Sequence, residues 1–216
     1  VIGFQSDVDF NSDLLSVGGD SSVYGRRHNS WKFIPEVLIR VISSRSLETT
    51  TRNHVAGVLI DLMEAKESFP NEVASTLAAA LDSLSRNRNA AVNILVEDIC
   101  LVHKGSQSSE ELELSKKIAV FISYLVGVPG TSEGCKSILK EMLSKFDQWA
   151  NSAPKHSIKL ICLLASRFGS LNDVGKTIVS LLQKATDQSE LSGYVDCVRD
   201  FFAFVVSLDE MIKPAV

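Results

Sequence analysis

The residues with the strongest suggestion of chemistry are Gly169, Ser170 and the run Gly175-Lys176-Thr177. A phosphate-binding loop needs a strand to deliver it and four residues between its glycines, so that successive amides curl round the phosphates. Here five residues intervene, Ser170 stands where a glycine is required, and the preceding segment reads as helix. A glycine-terminated helix followed by a second one carrying a solvated Lys176 accounts for the same residues. Cys100 and His103 lie one helical turn apart and offer two metal ligands, but tetrahedral zinc needs two more and no partner pair is evident. His28, His54 and His156 accompany no local nucleophile signature. The pairs Glu97-Asp98, Glu110-Glu111 and Asp209-Glu210 are adjacent. Neighbours on a helix point about 100° apart, so none forms a facing acid and base, and solvated faces or caps are expected. The residues therefore read as a non-enzyme, with no catalytic residues, no cofactor and no metal.

The elements that would have to position any site are helices. The chain has 216 residues, of which 45% are apolar and 22% charged, ordinary values for a globular domain of a size that buries most of its surface. A net charge of −4 gives no global attraction to phosphate, so nucleic acid is disfavoured as a main partner. Lys136, Lys140, Lys145, Lys155 and Lys159 could line a strip, but without arginine or interleaved aromatics they read as a solvated face. Cys100, Cys135, Cys162 and Cys197 are scattered singly, unlike a disulfide framework, which fits a reducing compartment, cytoplasmic or nuclear. No apolar stretch reaches the roughly 18 to 20 residues that cross a bilayer.

Residues 1–30 contain sixteen Ser, Gly, Asp or Asn without sustained periodicity, which predicts a flexible polar leader. The chain opens at Val1, and 31–216 is read as a helical domain from a longer chain. From Trp31 onward, apolar residues recur at helical spacing between Gly, Pro, Ser and Asn breaks. Nine helices are expected, with Pro35, Pro70 and Pro154 opening three of them. Ser108 with Glu111, and Asp187 with Glu190, have capping-box spacing. The helices over 87–104 and from Pro154 are apolar nearly all round and must lie between neighbours.

Paired helices with proline-marked openings and fully apolar interior members resemble an α-solenoid of the HEAT or armadillo kind, in period and pattern, from Trp31 to the C-terminus. The resemblance implies an all-α fold of about four antiparallel helix pairs plus a terminal helix; a closed multi-helix bundle is the alternative. In the last helix Leu191, Tyr194, Val195, Val198, Phe201, Phe202 and Val205 form a stripe taken as the core face. Phe204 and Cys197 would then point away from it, and with Met211 and Ile212 would form a partner-binding patch, covered by another protein or by a continuation of the chain. The functional expectation is a non-catalytic interaction scaffold or adaptor, a subunit of a larger complex. The alternative is a helical regulatory domain acting on a GTPase or in membrane traffic, using Arg40, Arg86, Arg88 or Arg167.

Overall fold

A computed structural model describes residues 33–64, 70–87, 89–102, 108–128 and 133–212 of the chain. The leader expected over residues 1–30, with His28, as well as His103 and Arg88, lie outside the described residues.

The described residues form an all-α fold of ten α-helices. These are α1 (Phe33–Ile42), α2 (Thr49–Glu64), α3 (Pro70–Asn87), α4 (Asn89–Cys100), α5 (Ser109–Val126), α6 (Glu133–Ser144), α7 (Phe146–Trp149), α8 (Lys155–Phe168), α9 (Leu171–Lys184) and α10 (Gln188–Ile212), with a 3-10 turn at Ala150–Ser152. The expected sixth helix is split. The chain breaks at Lys145, and the new short turn puts Phe146 edge-on to Trp149 with centroids 4.7 Å apart. Both rings are buried, and the Trp149 indole donates to the Met142 carbonyl at 3.1 Å. An unbroken helix would turn the two rings, three residues apart, along one stripe instead of folding them back under α6.

Local signals hold where the chain chemistry demands them. Ser108 Oγ accepts from the Glu111 amide at 3.2 Å and Glu111 accepts in return from the Ser108 amide at 3.2 Å, so α5 opens with a complete capping box. Asp187 accepts from the Glu190 amide at 2.8 Å, while Glu190 reaches back to the amide of Thr186. At the end of α4, Leu101 takes φ 52° and the chain doubles back, with Val102 N–H donating to Glu97 O at 3.0 Å. This is the left-handed helix stop that glycine usually supplies. Burial of both the Leu101 and Val102 side chains holds it closed despite a local cost of about 1 to 2 kcal/mol.

Helices α2, α5 and α8 lie side by side and run in the same direction. Asn53 of α2 donates to the Glu110 carbonyl near the start of α5, and Tyr124 near the end of α5 donates to Glu64 at the end of α2. Ser115 of α5 meets His156 at the start of α8, and further along Ser123 and Leu163 border one depression. Helices α4 and α6 pack behind this row, α3 packs on α6, and α10 packs on α8 and α9. Gly134 is required where α6 meets α3, since a Cβ there would stand 2.6 Å from Leu81 Cγ. The interior character expected of α4 and α8 is observed: Val92, Leu95, Val96 and Ile99 of the first, and Ile158, Leu160, Ile161 and Leu164 of the second, are all buried.

Candidate functional site

Distant residues form two polar groupings and one apolar feature that their spacing does not reveal. In the first, the Ile99 carbonyl at the end of α4 accepts hydrogen bonds from Ser115 at 2.7 Å and Ser157 at 2.6 Å. Ser115 Oγ also lies 2.6 Å from His156 Nε2. With the Ser115 proton committed to Ile99, the imidazole nitrogen carries the hydrogen in that contact. A serine and a histidine 41 residues apart are thus joined, which local motifs cannot show. Ser115 is fully buried and its proton is already used, so the geometry welds α4, α5 and α8 rather than presenting a nucleophile.

His156 is held below its ordinary pKa of 6.5 by burial, against the Ile99 carbonyl, which favours the proton, and with the Lys116 cation adding to the depression. Because the folded form binds the proton less readily than the unfolded form, stability is complete above about pH 6.5 and falls as pH drops toward the lower folded value. Urea unfolding between about pH 7.5 and 5.5 should show a steeper loss for the native chain than for His156→Gln, which cannot titrate. Parallel pH profiles for the two proteins would contradict this.

In the second grouping, Glu97 and Asp98 are not solvated. Asp98 is buried against Arg52 of α2, whose guanidinium also donates to the Ile42 carbonyl at 2.6 and 3.0 Å. Glu97 pairs with Arg45 and, at 3.1 Å, with Lys145, which also meets Glu141 at 2.9 Å. Burial pulls the Lys145 ammonium down, and its hydrogen bonds to Glu141 and Glu97 outweigh that, leaving it above its ordinary range. Lys145 is therefore structural and departs from the solvated face expected of the five lysines, whereas Lys136, paired with Glu133, and Lys140, Lys155 and Lys159 are exposed as expected.

The residues singled out for nucleotide chemistry do not assemble. Gly169 and Ser170 end α8 and open α9, and Gly175 lies inside α9, where a Cβ would sit 3.6 Å from the Phe201 ring. Cys100 is buried, and among the described residues no group of three or more His, Cys, Asp or Glu could hold a metal. Arg40 is paired with Glu36 and Arg86 is exposed, while Arg167 borders an open depression of about 460 Å³ with Ser123, Val126, Gly127, Leu163 and Ser166. Among the described residues no helix is long and apolar enough to cross a membrane.

The third feature is apolar and lies on α10, where the expected orientation is corrected. Cys197, anticipated outside, is buried and close enough to Cys162 of α8 for the two thiols to interact electrostatically; burial first raises both to about 12. Phe204 is half-buried and packs against the core. Met211 and Ile212 belong to α10, but their side chains lie outside the described residues. Conversely Leu191, Val195 and Phe202, members of the stripe taken as core, are 44%, 53% and 59% exposed, and Val206 is 58% exposed.

The helix is rotated by roughly 80° from the expected setting at 100° per residue. The cause is Gly193: its Cα side lies so close to the Asn151 carbonyl that a Cβ would stand 1.9 Å away. Only glycine permits that approach, and it draws Tyr194, Cys197 and Phe201 inward. Phe202 is left outside, its ring edge-on to Phe201 at 5.6 Å. None of the protein-family models, curated proteins or solved structures compared with this chain matches it.

Proposed function

We propose that this protein is a non-catalytic interaction module, an adaptor or subunit of a larger complex, which docks through the outer stripe of α10. The observation that carries this reading is the exposure of Leu191, Val195, Phe202 and Val206 along one face of a single helix. Leaving four large apolar side chains half wet forgoes stabilisation at about 25 cal/mol per Å² of apolar area, unless another surface covers them. The common direction of α2, α5 and α8 supports a stacked, solenoid-like array in the HEAT or armadillo manner over a closed bundle, since stacking repeats one orientation from layer to layer. The four free, buried cysteines support a reducing compartment, cytoplasmic or nuclear.

The test is Phe202→Asp in the full chain. Its ring is more than half exposed, so thermal stability should change by no more than a few degrees, while recovery of the protein in complexes from its cells, followed by size-exclusion chromatography of the lysate, should fall by at least tenfold. Retention of the complexes at native size would refute the docking role. The regulatory alternative rests on Arg167 beside its depression. It requires that Arg167→Ala lower stimulated nucleotide hydrolysis, which an interaction module leaves unchanged.

A further inference from the structure

Building on the docking reading above, we propose that the occupant of the α10 stripe is a second copy of this chain, packed antiparallel about a two-fold axis between Val198 and Arg199. The stripe is its own complement. Its exposed members, Leu191, Val195, Phe202 and Val206, are spaced by 4, 7 and 4 residues, so Leu191 and Val206 are equidistant from that point, as are Val195 and Phe202. In a two-fold interface residue i meets j while j meets i. The pairing therefore places Phe202 of each copy on the small Val195 of the other, and Leu191 on Val206, twice over. Large side chains meet small ones at every level, as interdigitated helix packing requires.

The charges beside the stripe agree with this arrangement. Arg199 is exposed and bonded to Asp196 at 2.8 Å, itself exposed. After the two-fold rotation, Arg199 of one copy and Asp196 of the other lie on the same flank about 3 Å apart along the helix axis at 1.5 Å per residue. The intramolecular pair can therefore be shared across the axis, and the two guanidiniums nearest it each keep a carboxylate partner. The exposed stripe from Leu191 to Val206 runs about 22 Å along the helix at 1.5 Å per residue, so the two helices would meet over about four turns, less than the roughly 800 Å² per partner of a standard interface, which sets the expected dimer at the weaker end of that class. Phe202 supplies the central aromatic anchor, oriented in advance by its edge contact with Phe201.

Sedimentation velocity of the purified chain at micromolar concentration should give a dimer, and Phe202→Asp should give a monomer with an unchanged circular dichroism spectrum. A second experiment reads the register. Chains carrying Val195→Cys mixed with chains carrying Phe202→Cys and oxidised by diamide should form the mixed disulfide at least tenfold faster than either forms its own, the four native thiols being buried. A monomeric native chain, a dimer that survives Phe202→Asp, or preferential self-disulfides would each overturn the pairing. If the native chain is monomeric yet Phe202→Asp still removes it from cellular complexes, the docking reading stands and self-pairing alone fails.

Discussion

Asp98→Ala should destabilise the chain by about 3 to 5 kcal/mol, because it strands the Arg52 guanidinium in the interior without its counter-charge. Both members of the pair are buried, and Arg52 holds three elements together by reaching from α2 to Asp98 on α4 and to the Ile42 carbonyl at the end of α1. The remaining carbonyl cannot neutralise a cation. A loss of this size is a large fraction of the roughly 5 to 15 kcal/mol that holds a typical domain folded, so the urea midpoint should drop steeply. The sign of the pair's net contribution is a separate matter. Removing both charges with Arg52→Met and Asp98→Leu should recover most of the loss, since well-packed apolar substitutes for a buried ion pair are often neutral. Equal destabilisation by the single and double variants would show that the pair contributes through its own attraction and not through the penalty of an orphaned charge.

Gly193→Ala should undock α10 from the rest of the molecule. The added methyl would stand 1.9 Å from the Asn151 carbonyl, a backbone atom that cannot rotate away, so the helix itself must shift. Overpacking ordinarily costs about 1 to 3 kcal/mol, and a clash against backbone falls at the upper end or beyond. The consequence is local. Cys197 faces α8 from α10, whereas Cys135 sits in α6 near Asp82 of α3, and in the native chain burial raises both thiols to about 12 and so suppresses the reactive thiolate. Thiol labelling of Gly193→Ala should therefore modify Cys197 rapidly while Cys135 stays protected. Protection of both thiols at the native rate would show that α10 tolerates the methyl.

Much of the fold was legible because its signals are local. The Ser108 and Glu111 capping box, the helix opening at Pro70, and the all-round apolar character of α4 and α8 depend only on residues within a few turns of each other. The features that were missed depend on contacts distant in sequence. Asp98 looks like one half of a solvated acidic pair until Arg52, 46 residues earlier, is brought against it. Ser115 and His156 are likewise meaningless apart. The break at Lys145 arises from tertiary packing of Phe146 and Trp149, which outweighs the continuity of helix propensity across it.

The orientation of α10 was misread for a different reason. Apolar residues cover so much of this helix that centring a wheel on them selects the middle of the stripe, whereas the core takes only one edge of it and solvent receives the other. A usable signal was present. Gly193 is the one glycine in α10, and a glycine inside a helix commonly marks the side on which another backbone comes close. Setting the helix by Gly193 rather than by Val198 turns Cys197 and Phe201 inward and Phe202 outward, which is the observed arrangement.

Two adjacent phenylalanines on α10 give the most direct test of the account, because Phe201 is buried beside Gly175 and Phe202 is exposed. A photoreactive benzoylphenylalanine can be placed at either position in the full chain and irradiated in its cells. Docking through the exposed stripe should give covalent adducts to another polypeptide chain from position 202 and only intramolecular products from position 201. Adducts to other chains from position 201, or none from position 202, would contradict it.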